Sequence, residues 1–243
     1  MDDREIIEKL IAQISDTKVN EVLISPHFVI VDSLNVGLAS VGRQSDCVRI
    51  EDAGVMHKKS TRILSQKAFS NIAIESAIGF ATINSATNYE AYKQKFFHVN
   101  ALEILKDKGK NKNVSIIGHF PFTDSLREGK FFKNLWVFEM FPRDSNDLGV
   151  DEYEQFLPRS DVILITAMTL VNHTFSKVTK LAQKSFNIMI GPSTPISPVL
   201  FDYGLDVLCG SIVVDKALAK SSFLQGASFR QAQGIEHIAF VKD

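Results

Sequence analysis

The stretch Val162-Ile-Leu-Ile-Thr-Ala-Met-Thr-Leu-Val-Asn-His-Thr174 joins a short apolar run directly to several polar side chains. A short apolar run without alternation is typical of a strand that is buried on both faces. Similar runs recur in the second part of the chain, each separated from the next by loops and helical stretches: Val114–Ile117, Leu135–Phe138, Ile188–Ile190, Val207–Val214 and Ile238–Val241. Their alternation with helices predicts a Rossmann-like α/β domain with a mainly parallel sheet and right-handed crossovers.

The order of these strands determines where a ligand would bind. We expect Val162–Ile165 to lie beside Val114–Ile117, in the order 2-1-3-4-5 that flavodoxin-like sheets show. The polar loop after the third strand then faces the glycine turn after the first, across the point where strand order reverses. Ligands of open α/β sheets bind at this point, beyond the carboxyl ends of the strands.

The residues before this domain have a different pattern. Asp3–Ser15 and Lys67–Thr82 carry apolar residues at helical spacing, while Glu21–Leu38 alternates through two extended segments with turn residues between them. Val41–Ile50 would extend this small sheet. The pattern predicts a small α+β unit over residues 1–95, followed by the Rossmann-like domain over residues 96–243.

Composition excludes several classes of partner. The formal net charge of −1 over 243 residues gives no reason to expect binding to nucleic acid or to an anionic membrane. No apolar run approaches the ~18 residues of a membrane span, and the first residues do not resemble a signal peptide, so we expect a cytoplasmic protein. Cys47 and Cys209 lie far apart and give neither a disulfide framework nor zinc spacing. A homodimer is the expectation from base rates alone.

The first two strands are followed by residues that suit a nucleotide-like ligand. Gly118-His119-Phe120-Pro121 follows the first strand, and its glycine allows close approach of the backbone. Glu139 follows the second strand, where an acidic residue often accepts hydrogen bonds from ribose hydroxyls. The full G-x-G-x-x-G pattern is absent. Gly118 serves equally well in a tight turn, and Glu139 as a solvated carboxylate.

The third strand is followed by the largest group of polar residues. Its members are Thr166, Thr169, Asn172, His173 and Thr174. Thr169 with Asn172, or Thr174, can cap the helix that begins near Phe175. One cap does not require five polar side chains, so we favour a ligand contact for at least Asn172 and His173 over a purely structural role.

The fourth strand is followed by Gly191-Pro-Ser-Thr-Pro195. Pro195 suits the first turn of a helix, with Ser193 or Thr194 as its cap. Hydroxyl groups beside free helix-end amides would bind an anion or a carboxylate. A rigid, capped turn without a ligand is the alternative.

The histidines show no local metal signature, because neither H-x-x-x-H nor C-x-x-C occurs. His119 and His173 both follow predicted strand ends and would be weak candidate ligands if they converge. With Glu139 they would form a nitrogen and oxygen set that suits zinc or another transition metal. The cofactor therefore stays open between a transition metal and a nucleotide-like ligand.

Four segments together resemble a known family. They are Gly118–Pro121, Leu157–Thr166, Thr169–Thr174 and Gly191–Pro195, in this order and at the expected separations. These segments closely resemble the bacterial and archaeal family described as a "putative heavy-metal chelation domain". The resemblance covers residues 97–243. The preceding ~95 residues resemble the small, enolase N-terminal-like domain that accompanies it.

The resemblance implies a ligand site in a cleft between the two domains. The implied site residues are His119, Thr169, Asn172, His173, Ser193 and Thr194, with Asn84 and Asn88 contributed by the small domain. It also implies a link to metal-chelator metabolism (siderophore-, pterin- or flavin-like compounds) or to heavy-metal homeostasis. Met168 departs from the glycine and threonine expected after the third strand, and makes the entrance to the site bulkier.

Our leading hypothesis is an enzyme that acts on a small polar or heterocyclic metabolite in this cleft. His119 or His173 would be the general acid or base, because imidazole titrates near neutral pH, and Asn172 would orient the ligand. One alternative is a metal or metal-chelate binding protein without turnover. The other is a nucleotide- or S-adenosylmethionine-dependent enzyme.

Overall fold

The protein is described from a computed structural model that covers residues 2–42 and 48–242. Its strands are β1 (Glu21–Ile24), β2 (Phe28–Asp32), β3 (Val36–Ser40), β4 (Phe96–Phe97), β5 (Asn113–Ile117), β6 (Asn134–Phe138), β7 (Asp147–Leu148), β8 (Val162–Thr166), β9 (Phe186–Ile190), β10 (Val207–Val213) and β11 (Ile235–Val241). Its α-helices are α1 (Asp3–Gln13), α2 (Thr61–Leu64), α3 (Ala73–Ala86), α4 (Ala101–Gly109), α5 (Thr123–Glu128), α6 (Tyr153–Phe156), α7 (Met168–Val171), α8 (Phe175–Leu181) and α9 (Lys216–Leu224). Single 3-10 turns include Ser65–Phe69, Tyr89–Lys95 and Pro198–Tyr203. None of the helices in the described ranges has the length and apolar character needed to span a lipid bilayer.

The large sheet confirms the predicted fold class. Its order is β4-β11-β10-β9-β8-β5-β6-β7, with parallel pairing from β10 to β7 and antiparallel pairing at β11 and β4. The first five of the six predicted strands thus lie in the order 2-1-3-4-5, and β5 pairs directly with β8 as expected. Strand order reverses between these two strands. The short edge strands β4 and β7 were not predicted.

The unbroken apolar runs are explained by packing on both faces of this sheet. In β8, Ile163 and Ile165 point into one hydrophobic core, while Val162 and Leu164 point into a second core that includes Leu105 of α4. All four β8 side chains are fully buried. Because successive side chains of this run enter one or the other apolar core, the run has none of the polar positions that a half-exposed strand would show.

The N-terminal unit contains a three-stranded antiparallel sheet, β1-β2-β3, against which α3 packs. Gly79 of α3 lies against the 3-10 turn Ser65–Phe69, and a Cβ atom at this position would be 1.9 Å from the Ala68 nitrogen. The helix predicted over Lys67–Thr82 begins only at Ala73, because the preceding residues form this separate turn. The predicted extension Val41–Ile50 is not strand at positions 41–42 and 48–50, and its middle lies outside the described residues.

The N-terminal unit and the large sheet share one hydrophobic core. This core includes Ile6 and Phe80 from the N-terminal unit together with Ile165 and Phe175 from the sheet layer. The Ser76 hydroxyl also donates a hydrogen bond of 2.7 Å to the carbonyl oxygen of Val171, in α7. The division into residues 1–95 and 96–243 stays a prediction, and the two parts pack directly against each other.

Candidate functional site

The carboxyl ends of β5 and β8 meet at the point where strand order reverses. Gly118 follows β5 with φ of 99°, and a Cβ atom there would lie 3.1 Å from Cγ2 of Thr166. Glycine is therefore required for close packing between the two strand ends. Gly191, after β9, has φ of 130° and lies near Ala167. Two residues without side chains thus leave backbone exposed along this edge of the sheet.

His119 is held by a buried carboxylate. Its Nδ1 lies 2.9 Å and 3.0 Å from the two carboxylate oxygens of Asp147, in the edge strand β7. The side chains of His119 and Asp147 are 7% and 0% exposed. A carboxylate that accepts from Nδ1 fixes the proton on that nitrogen, so Nε2 of the neutral ring presents a lone pair.

Asp147 also pairs with Arg127. The Arg127 Nη2 lies 2.7 Å from Oδ1 of Asp147, and Nη1 lies 3.3 Å from Asp144 and from Asp124. Burial raises the pKa of the Asp147 carboxyl, but hydrogen bonds from the Arg143 backbone, His119 and Arg127 outweigh this effect and hold the pKa below its usual range. Asp147 is therefore ionised at neutral pH.

Glu139 and Phe120 have local partners. The two carboxylate oxygens of Glu139 accept hydrogen bonds from the backbone nitrogens of His119 (2.9 Å) and Met140 (3.0 Å). Phe120 stacks on Phe122 with ring centroids 5.1 Å apart. Glu139 thus ties the β6 end to the turn after β5, and the ribose contact expected of it stays a prediction.

The polar side chains of the Thr166–Thr174 segment largely satisfy one another. The Thr169 hydroxyl donates to the Thr166 carbonyl at 2.8 Å, and the Thr166 hydroxyl accepts from the backbone of α7 at 3.3 Å. The Asn172 carboxamide lies 2.6 Å from the Thr174 hydroxyl. It also lies within 3.1 Å of the carbonyl oxygens of Met168 and Thr169, in α7. These bonds explain the polar crowding as the closure of a single helical turn. The ligand contact predicted for Asn172 stays untested.

His173 turns towards the N-terminal unit. It has φ of 56°, and its Nε2 donates a hydrogen bond of 2.8 Å to the carbonyl oxygen of Ala68. Among the residues that the structure describes, the acidic and imidazole groups close enough to share a metal ion are His119, Asp144 and Asp147. The side-chain ligand atoms of His173 and Glu139 are therefore not grouped with those of His119, although Glu139 bonds to the His119 backbone and the strands that precede the two histidines are neighbours.

The cap of α8 comes from a distant residue. The carboxylate of Asp3, at the start of α1, accepts hydrogen bonds from the Ser176 backbone nitrogen (2.9 Å) and hydroxyl (2.7 Å). Thr174 occupies the N-cap position but makes no capping bond with its side chain. The predicted caps, Thr174 and Thr169 with Asn172, are therefore wrong, because the N-terminal unit supplies the acceptor.

The Gly191–Pro195 loop contacts the N-terminal unit. The Ser193 hydroxyl accepts a hydrogen bond of 2.8 Å from the Ser40 nitrogen, and the Asn84 amide donates to the Leu38 carbonyl at 2.8 Å. The Asn84 amide also lies 3.5 Å from the Pro192 carbonyl. Asn84 Oδ1 and Thr194 Oγ1 are buried and have no hydrogen-bond partner among the described residues. Such atoms call for an additional partner, which a bound water or a ligand group can supply.

The helix predicted to begin at Pro195 begins instead at Pro198, as a 3-10 turn with Ser197 at its N-cap. The Gly191–Pro195 segment is a turn, in which the Thr194 nitrogen donates to the Gly191 carbonyl at 3.1 Å. The predicted helix start at Pro195 is therefore wrong, and ligand binding by Ser193 and Thr194 stays a prediction.

Two family profiles match most of the chain. DUF364 covers residues 100–242 and DUF4213 covers residues 7–87, and both are described as "Putative heavy-metal chelation". The chain belongs to this family. No curated protein matches it.

Two solved structures of the DUF364 family, both of proteins of unknown function, share the fold of this family member. The protein from Desulfitobacterium hafniense DCB-2 is 24% identical, with a TM-score of 0.88 and 98% of each chain covered. The protein from Pyrococcus horikoshii is 20% identical, with a TM-score of 0.80 and 100% of each chain covered. At these identities the likeness shows the fold.

The heavy-metal description of the family can be tested against the donor set of this member. His119, Asp144 and Asp147 would offer one nitrogen and two oxygen ligands, a set that suits zinc. Both oxygens of Asp147 already accept hydrogen bonds, from His119, Arg127 and the Arg143 nitrogen. A cation bound to Asp147 would have to displace a guanidinium group at 2.7 Å. The residues therefore do not fit a preformed metal centre at Asp147.

His119 was predicted from the sequence as a site residue, but its partner Asp147 and the neighbouring Arg127 were not. Asp147 lies 28 residues further along the chain and Arg127 lies in α5, so no local spacing links them to the histidine. Asn88 is exposed and lines a separate cleft with Gln13 and Ser197. The predicted pair Asn84 and Asn88 is therefore divided between two places.

Proposed function

We propose that this family member binds a small heterocyclic metabolite at the carboxyl edge of β5, β8 and β9, and that His119 transfers a proton to or from it. The hydrogen bond between Nδ1 of His119 and the buried carboxylate of Asp147 carries this proposal. A histidine in this state is a general base through Nε2 and becomes a general acid once protonated.

The role of Asp147 follows from electrostatics. An ionised carboxylate against Nδ1 fixes the orientation of the ring and stabilises the imidazolium that forms when Nε2 accepts a proton. Arg127 offsets part of this effect, because it pairs with the same carboxylate. The Asp147 charge is therefore shared between the imidazole and the guanidinium.

The size of the ligand follows from the spacing of the strands. β5, β8 and β9 are consecutive neighbours in the sheet, and strands lie about 4.8 Å apart. The turn that carries His119 and the loop that carries Thr194 are thus separated by roughly 10 Å. A metabolite with one or two fused rings spans this distance. The buried oxygens Thr194 Oγ1 and Asn84 Oδ1 have no hydrogen-bond partner among the described residues. We infer that both hydrogen-bond to the far end of this metabolite.

A thermal-shift panel tests the proposal. Neopterin, flavin mononucleotide, S-adenosylmethionine and zinc chloride are added separately to the native protein, His119→Gln and Asp147→Asn. His57→Gln is the matched control, because His57 is exposed and lies in a separate 3-10 turn. A ligand at 100 times its Kd stabilises by about 2.7 kcal/mol, which raises Tm by about 5–11 °C for a chain of this size.

We expect the pterin or the flavin to stabilise the native protein and His57→Gln. Its affinity for His119→Gln should be at least tenfold lower than for the native protein. The proposal fails if no organic ligand shifts Tm, or if His119→Gln binds as well as the native protein. A shift with zinc alone that requires His119 would show metal binding instead.

A further inference from the structure

A second cleft, of about 270 Å³, lies away from the His119 turn. Its lining residues are Leu10 and Gln13 of α1, then Thr87, Asn88, Ala91 and Tyr92, and finally Ser197. Its volume is near the lower end of the range for small-molecule pockets, ~300–1,000 Å³. The cleft can therefore hold a ligand of one or two rings.

The wall formed by Asn88, Ala91 and Tyr92 belongs to the segment between the two family profiles. The profiles end at residue 87 and resume at residue 100. α1 and Ser197, which form the rest of the cleft, lie within the matched regions. The cleft thus combines elements within the family profiles with a connecting segment that neither profile matches.

The aromatic wall of the cleft is rigid. The Tyr92 ring stacks on Phe240 of β11, with centroids 5.6 Å apart and an angle of 27° between the rings. Phe240 is itself held edge-on by Phe96 and Phe201. An aromatic side chain fixed in this way contributes contact area without a large loss of side-chain entropy on binding.

The polar groups of the cleft are carboxamides and hydroxyls. The Ser197 hydroxyl donates to Oε1 of Gln13 at 3.2 Å, which directs the Gln13 carboxamide and leaves its nitrogen as a donor. None of the lining residues carries a charge. A phosphate or carboxylate group in the cleft would therefore have no counter-charge there.

We propose that this cleft binds an uncharged purine base or nucleoside. A carboxamide offers a donor and an acceptor side by side, which matches the donor and acceptor pattern along the edge of a purine. Tyr92 supplies the aromatic contact that sequence-tolerant base binding uses. Gln13 and Asn88 hydrogen-bond to the base, and its sugar extends towards solvent past Ala91.

Isothermal titration calorimetry with adenosine and guanosine tests this assignment, with D-glucose as an uncharged ligand that lacks an aromatic ring. Ala91→Arg blocks the cleft at an exposed position, and Ala12→Arg is the matched control on the exposed side of α1. Asn88→Ala removes one carboxamide from an exposed side chain. His119→Gln separates this cleft from the site proposed above.

We expect at least one nucleoside to bind the native protein, Ala12→Arg and His119→Gln with equal affinity. Binding should disappear in Ala91→Arg and weaken about tenfold in Asn88→Ala. The proposal is overturned if neither nucleoside binds the native protein, if Ala91→Arg binds normally, or if glucose binds as tightly as the nucleosides. Loss of binding in His119→Gln alone would place the nucleoside at the other site and would also overturn it.

Discussion

Replacement of Asp147 by asparagine removes a buried negative charge and keeps the shape of the side chain. The native carboxylate accepts hydrogen bonds from His119, Arg127 and the Arg143 nitrogen. A carboxamide has a single acceptor oxygen, so at least one of these donors loses its partner. The Asp147 side chain is 0% exposed, and water cannot readily replace the lost acceptor.

The size of the effect follows from the burial of the two partners. Loss of one member of a buried ion pair costs about 3–5 kcal/mol. Arg127 is 21% exposed and keeps its contacts with Asp124 and Asp144, so we expect the lower end, about 3 kcal/mol. For a chain of this length, that loss lowers Tm by about 6–12 °C.

The matched control is Asp144→Asn. Asp144 also pairs with Arg127, at 3.3 Å, but its side chain is 40% exposed. Exposed ion pairs contribute about 0–1 kcal/mol, so this variant should unfold close to the native midpoint. Urea denaturation of both variants at pH 7 measures the difference. Equal destabilisation by the two substitutions would refute the argument from burial.

The pH dependence gives an independent check on the charge. The folded-state pKa of Asp147 is lowered from the ordinary value of 3.8, so its ionised form stabilises the native state above that pH. This stabilisation is lost as pH falls below 3.8 through the lower folded-state pKa. The difference between the native protein and Asp147→Asn should therefore shrink as the pH falls below 3.8. A difference that grows over this acidic range would contradict the assigned pKa direction.

Three further substitutions test the packing around the site. Gly79→Ala should destabilise by at least about 3 kcal/mol, because its Cβ atom would lie 1.9 Å from the Ala68 nitrogen; an unchanged thermal midpoint by circular dichroism would contradict this. Gly118→Ala should cost about 1–3 kcal/mol in urea denaturation, because φ is 99° and Thr166 is 3.1 Å away, and a cost below 0.5 kcal/mol would mean that the turn relaxes freely. Asp3→Ala should cost about 1–2 kcal/mol and speed hydrogen exchange at the Ser176 amide, whereas protection that survives the change would show another cap.

The fold was predictable because its strands are buried on both faces. Val162–Ile165 and Val114–Ile117 stand out as apolar runs, and the alternation of such runs with helices restricts the topology to a few orders. The edge strands β4 and β7 have two residues each, which is too short for any periodic pattern. β7 nevertheless carries Asp147, so the part of the sheet that was missed contains the main partner of His119.

The candidate site was predictable only in part, since the role of a polar residue depends on contacts that are distant in sequence. His119 was singled out from its place after a strand, and its partner is determined by tertiary packing. The polar crowding at Thr169–Thr174 favoured a ligand, but Thr169 bonds to the Thr166 carbonyl, and Thr174 bonds to Asn172. His173 bonds to Ala68, 105 residues away, which no local pattern indicates.

The bond from Ser176 to Asp3 has a consequence for synthesis on the ribosome. The carboxylate that caps α8 is synthesised well before its partner, because 173 positions separate the two residues. α1 also contributes Ile6 to a core completed by strands near the end of the chain. Until those strands emerge, part of the apolar face of α1 lacks its final neighbours and is exposed to chaperones and to other nascent chains. Docking of the N-terminal unit onto the large sheet must therefore wait for the synthesis of those strands.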